Sequence, residues 1–217
     1  IAGIAWGFMV RPLRIAPKAS ARFFFANLSL GSGIYLLSLQ SIANNLLRWF
    51  IADLAILTSF MLIGWGIQQL FKFRATTSRD SSVLLLTALL MLVTHLYQPD
   101  AVVLGILFSV TATLFLYSAS STNFRAIQKD FGKVAACLMS APLFVVTLIF
   151  FARTLILLWP ETKADAFVAT YTAEAVPLLW CYVVLTLTIN IVMIGGALAR
   201  LVAKIRQFAE RDQLTGL

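Results

Sequence analysis

Seven apolar runs divide this chain, and six of them are 16 to 26 residues long. They are Ile1–Val10, Phe23–Ser41, Trp49–Phe71, Ser82–Tyr97, Ala101–Ser118, Val134–Trp159 and Ala175–Leu198. A helix needs about 20 apolar residues to cross a bilayer core of about 30 Å. Lipid offers the backbone no hydrogen-bond partners, and these runs are too long for barrel strands, so they read as membrane helices. Ile1–Val10 is too short to span and reads as the inner end of a helix whose start precedes it. The expected fold is an all-α membrane protein, a seven-transmembrane-helix bundle with a truncated first helix and a cytoplasmic signalling helix.

Composition agrees. The chain is 60% hydrophobic and 12% charged, against about 25% charged in a soluble domain. That excludes a soluble enzyme, a disordered chain and a nucleic-acid module, even with a net charge of +8. The basic residues report orientation instead. Fourteen of the seventeen Lys and Arg fall in alternate connections: Arg11, Arg14, Lys18 and Arg22; Lys72, Arg74 and Arg79; Arg125, Lys129 and Lys133; Arg200, Lys204, Arg206 and Arg211. Positive residues collect on the cytoplasmic side. The tail is therefore expected in the cytoplasm, and the N-terminus outside. Trp49, Tyr97 and Trp159 fall at the expected outer ends, where amphipathic rings favour the headgroup level. The outer connections are short, such as Gln98-Pro99-Asp100; only Pro160–Glu174 is longer.

Three ionisable residues fall within the runs. Asp53 lies about 6 Å inside the outer end of its helix, and Arg153 about 9 Å inside the outer end of its own. His95 is within a turn of an outer end. Charge inside a bilayer is costly and faces the bundle or a partner. Two readings stand. One is an outward-opening polar pocket in which Arg153 holds an anionic group of a small ligand, Asp53 or His95 orients it, and Tyr97 and Trp159 form walls. The other is an Asp53–Arg153 pair that neutralises two buried charges. A lone His with scattered Met residues gives no metal or haem site, and no catalytic residue is evident. Cys137 and Cys181 sit in apolar runs and read as packing residues. Thr186, Thr188 and Asn190 are expected to bond neighbouring helices. Gly31, Gly33, Gly64, Gly66, Gly195 and Gly196 are expected to allow close helix approach.

The last run does not stop at the membrane. From Leu198 the sequence continues as LARLVAKIRQFAERDQLTGL. Leu198, Leu201, Ile205, Phe208 and Asp212 follow a 3, 4, 3, 4 spacing, the a/d pattern of a short parallel coiled coil. An amphipathic helix on the bilayer surface is the alternative.

The closing segment Arg211-Asp212-Gln213-Leu214-Thr215-Gly216-Leu217 resembles the D-x-L-T-G-L sequence that opens bacterial GGDEF domains. In that family it follows a signalling helix, as it does here. Asp212, Leu214, Thr215, Gly216 and Leu217 match the opening motif, not an active site. The preceding helices loosely resemble the membrane sensor portions found ahead of such domains. The resemblance implies a diguanylate cyclase, which condenses two GTP molecules into cyclic di-GMP with Mg²⁺ or Mn²⁺ at the interface of two GGDEF domains. The catalytic Gly-Gly-Asp/Glu-Glu-Phe loop is not among these residues, so no cofactor is expected within the chain itself. The implied division is a sensor region over residues 1–198, a signalling helix over 199–211 and the start of a GGDEF domain over 212–217. The implied setting is a homodimer in the bacterial inner membrane, with lipid as its surroundings and no nucleic-acid partner. A passive membrane anchor for a cyclase and a small seven-helix transporter are the competing functions. A transporter is expected to carry internal repeats and polar, broken helices near the midplane, and neither is evident.

Overall fold

A computed structural model describes residues 2–10, 16–38, 45–73, 76–97, 101–159, 184, 186–198 and 201–202. Among these residues the structure is helical, without strands. Helix α1 spans Ala2–Val10, α2 Pro17–Ser38, α3 Asn45–Leu70 and α4 Thr77–Tyr97. The next helical stretch, Ala101–Leu158, is broken at Gly132, where φ is 86° and ψ 173°. That backbone region is strained for any residue with a Cβ, so the glycine ends one helix and begins another. We label the limbs α5 (101–131) and α6 (133–158). Thr186–Leu198 forms α7.

The two limbs pack antiparallel. Asn123 Nδ2 donates to Ser140 Oγ at 3.1 Å, and the hydroxyls of Ser120 and Thr147 are 3.3 Å apart. Farther from the turn, the Phe108 and Phe150 rings meet edge to face at 5.8 Å. A Cβ built on Gly105 lies 3.2 Å from Leu157 Cδ1. Each step back along α5 is thus matched by a step forward along α6. The expected connection after Ser118 is a correction. Residues 119–131 continue α5 as helix, burying Asn123, Ala126 and Ile127 and exposing Arg125 and Lys129. The apolar run ends before the helix does.

Among the described residues, three elements are long and apolar enough to cross a membrane: Phe50–Leu70, Thr77–Tyr97 and Val102–Leu158, the last being the hairpin. Seven such crossings, as expected from the apolar runs, are not found by that measure among the described residues. α1 has nine residues, and Arg22, Asn27, Ser29 and Ser32 interrupt the apolar character of α2. α7 has only 13 residues in its described part.

Local chemistry sets the helix ends. Pro17 occupies the first position of α2, where its missing N–H costs nothing. The α3 terminus closes as a Schellman motif, with Phe73 N–H donating to the Gln68 carbonyl at 2.8 Å and Lys72 N–H to Gln69 at 3.3 Å. Lys72 takes the left-handed position (φ 58°), a place usually held by glycine. Thr76 caps α4, its carbonyl accepting the Asp80 N–H at 3.0 Å.

The packing of α2 on α3 is extensive. It depends on two glycines at opposite ends. A Cβ on Gly33 falls 2.7 Å from Ile56 Cγ1 and 2.9 Å from the Ala52 carbonyl oxygen; one on Gly66 falls 2.9 Å from the Phe23 ring. The core runs from Trp6 and Phe23 through Leu57, Phe60 and Ile67 to Phe115, Leu116, Leu143 and Phe150. α4 lies at the periphery, with Leu85, Leu86, Leu89, Leu90, Val93 and Leu96 exposed.

Candidate functional site

Of the residues singled out in the apolar runs, Asp53 and Arg153 come together. Asp53 is half-buried on α3, and the Arg153 guanidinium on α6 lies close enough for its charge to act on the carboxylate. Arg153 also sits over the Phe108 ring, 5.8 Å from its centroid, a cation–π arrangement. Register explains the meeting. The Gly64 Cβ position is 3.8 Å from Ala119 Cβ. About three turns back along the parallel helices α3 and α5, Asp53 is level with Phe108. Antiparallel α6 returns Arg153 to the same layer.

His95 belongs to a neighbouring layer. The Thr87 and Thr111 hydroxyls bond at 2.9 Å, fixing α4 antiparallel to α5. About two turns onward, His95 is level with Val103, more than a turn nearer the helix end than Phe108. The ring is half-buried, and its Nε2 has no hydrogen-bond partner among the described residues. The expected walls, Tyr97 and Trp159, are 83% and 64% exposed, so they stand at the surface rather than enclosing a pocket. A cavity of about 420 Å³ opens between α3 and α4, lined by Leu54, Thr58, Ser81, Leu84, Leu85 and Ala88. None of the five expected site residues lines it. Among the described residues, no group of three or more His, Cys, Asp or Glu is placed to hold a metal ion.

A second polar cluster is buried between α1, α2 and α7. Asn190 Oδ1 accepts from Trp6 Nε1 at 2.7 Å and from Asn27 Nδ2 at 2.8 Å. Asn190 Nδ2 donates to Asn27 Oδ1 at 3.0 Å and to the Thr186 carbonyl at 2.8 Å. Asn27 Nδ2 also donates to the Phe23 carbonyl at 2.7 Å. Trp6 is fully buried and stacks on Phe23 at 4.4 Å. Of the three polar residues expected to bond outward from α7, Asn190 does so, whereas Thr188 bonds the Val184 carbonyl of its own helix.

A third network holds the basic ends of α2, α3 and α4. Trp65 Nε1 and Thr76 Oγ1 both donate to Asp80 Oδ2, at 2.8 and 2.6 Å. Gln68 bonds Thr76 through both ends of its amide, at 2.8 and 3.1 Å. Arg22 donates to the Trp65 carbonyl at 3.2 Å and lies 5.3 Å from the Trp65 ring centroid.

The remaining expectations divide by position. Cys137 is exposed, not packed. A methyl group at Gly31 or Gly195 would meet nothing within 4 Å, so these are not close-approach sites; Gly33, Gly66 and Gly196 are. Leu198 is exposed and Leu201 half-buried. Cys181, Ile205, Phe208, Asp212, Leu214, Thr215, Gly216 and Leu217 lie outside the described residues. No family model, no curated protein and no solved structure matches this chain.

Proposed function

We propose that this chain is a membrane-embedded sensory region that governs a cytoplasmic diguanylate cyclase through its last helix. The observation that carries the reading is a sequence one: an apolar helix runs into the a/d series Leu198, Leu201, Ile205, Phe208 and Asp212, and then into Arg211–Leu217, which resembles the opening of a GGDEF domain. In this reading the chain crosses the bacterial inner membrane seven times, with α5 and α6 as separate crossings. Limbs of 31 and 26 residues, counted to either side of Gly132 within Ala101–Leu158, are about 46 and 39 Å long at 1.5 Å per residue. The charged Asp53–Arg153 layer supports a sensory role over simple anchoring, since one apolar helix is enough to anchor and buried charge is costly.

The mechanism is geometric. Two GTP-loaded GGDEF domains, with Mg²⁺ or Mn²⁺, must face each other for cyclic di-GMP to form. In a two-fold dimer the paired tails set that facing. A small rotation or axial shift of α7 changes how the tails pair, and with it the output. The sensor contributes no catalytic group; it contributes position.

The test is the double substitution Ile205→Glu and Phe208→Glu in the natural protein, with cellular cyclic di-GMP as readout. Charges at the a/d seam are expected to split the tail pairing and to change cyclic di-GMP at least about fivefold, the lower end of ordinary allosteric coupling. Parent levels and parent regulation in that variant would overturn the reading.

A further inference from the structure

The buried amide cluster has a property that follows from its geometry. Among the described residues of α7, Asn190 is the one whose side chain hydrogen-bonds other helices. Its carboxamide is saturated, with two bonds accepted and two donated, the full complement for its two donors and a carbonyl's two lone pairs. It is 5% exposed, and hydrocarbon offers no replacement partners.

The rest of the buried stripe of α7 is apolar. Ile189, Met193 and Ala197 are buried, and none bears a polar side-chain group that fixes an axial position. Gly196, also buried, meets only the flexible end of Met139 at 3.3 Å. Apolar contacts of this kind have no hydrogen bond to break when the helix moves along its axis. An axial move of two residues, about 3 Å, lengthens bonds of 2.7, 2.8 and 3.0 Å to about 4 Å, beyond hydrogen-bond reach. The three inter-helix bonds share one side chain, so they break together. Such a contact holds or releases; it does not yield gradually.

We infer that Trp6, Asn27 and Asn190 form a detent that fixes the axial position of α7, and that signalling moves α7 by breaking the three inter-helix bonds as a unit. The regulatory part rests on the reading of α7 as the output helix; the detent itself does not. Trp6 and Asn27 are positioning residues in this scheme. They place α1 and α2 in control of α7 although 184 and 163 residues of chain separate them from Asn190.

The experiment measures the helix directly. The natural protein, with Cys137→Ser and Cys181→Ser, carries spin labels at Leu96→Cys and Val202→Cys, both exposed positions. It is reconstituted in liposomes and diluted with unlabelled protein, so that only distances within one chain are read. Pulsed electron resonance is expected to give one distance in the parent. Asn190→Leu and Asn27→Leu are each expected to shift or split it, by between two residue rises and one turn, about 3 to 5.4 Å. Combining the two should add little to either. Trp6→Phe keeps the ring on Phe23 and removes one donor; it is expected to broaden the parent distance, and it remains informative if a leucine variant fails to fold. An unchanged distance in all of these variants would overturn the detent. A shifted helix with parent cyclic di-GMP would instead overturn the assignment of α7 as the output helix and leave the detent standing.

Discussion

Replacing Arg153 by alanine is expected to destabilise the bundle by about 1–3 kcal/mol, the usual cost of leaving a partly buried polar group without its partner. The reason lies in what remains. Asp53 is half-buried on α3 in a helix apolar enough to cross a membrane, and Arg153 is the cation whose charge acts on it. Without Arg153, the carboxylate stays half-buried with that opposing charge gone. The double variant Asp53→Asn with Arg153→Gln removes both charges and is expected to cost clearly less than the single one, because neutral amides need far less solvation. This non-additivity identifies a pair rather than two separate contributions. Thermal unfolding in detergent, followed by loss of the monodisperse peak, measures the order of stabilities. Equal stability of parent, single and double variants would contradict the pairing.

A second large effect is expected at Gly33. Valine there must place its Cβ within 2.7 Å of Ile56 Cγ1 and 2.9 Å of the Ala52 carbonyl oxygen. Ile56 has some room to turn, but the Ala52 backbone has none without moving α3. Overpacking of this kind costs about 1–3 kcal/mol, and here it falls on a close backbone approach of α2 to α3. Gly31→Val, half a turn away on the same helix, meets nothing within 4 Å. It is expected to be neutral or slightly favourable, since valine is the better helix former. The same unfolding assay compares them. A Gly33→Val protein as stable as Gly31→Val would show that α2 and α3 do not approach as described.

Helix type and the rough position of most helices were legible in the sequence, because apolar runs bounded by charge report lipid depth. Helix ends were less so. The apolar run ending at Ser118 tells where hydrocarbon gives way to water, not where hydrogen bonding stops. The helix continues to Phe131, and Gly132 ends it through its left-handed backbone. In the same way, α2 and the described part of α7 are helical without passing the length and hydropathy measure that α3 and α4 meet.

The site was legible only in its parts. Asp53 and Arg153 stand out because charge is rare in such runs, and a count from the helix ends places both at similar depth. Their meeting depends on the register of three helices, which hydropathy does not encode. Tyr97 and Trp159 stand out as aromatic residues at the ends of apolar runs, but the direction in which each ring points follows from helix rotation, so enclosing walls could not be read from the pattern. Asn190 was visible as a polar residue in an apolar helix. Its partners Trp6 and Asn27 were not, because no local spacing links positions more than 160 residues apart.

The central claim is that the chain threads the membrane so that its basic connections and its tail share the cytoplasmic side. Single cysteines placed at Lys129, Lys163 and Lys204, with both native cysteines changed to serine, test it with a membrane-impermeant maleimide on spheroplasts. Lys163→Cys is expected to label on intact spheroplasts, and Lys129→Cys and Lys204→Cys only after the membrane is opened. Labelling of Lys204→Cys on intact spheroplasts would contradict the account, because the tail would then lie on the side where no GTP is supplied.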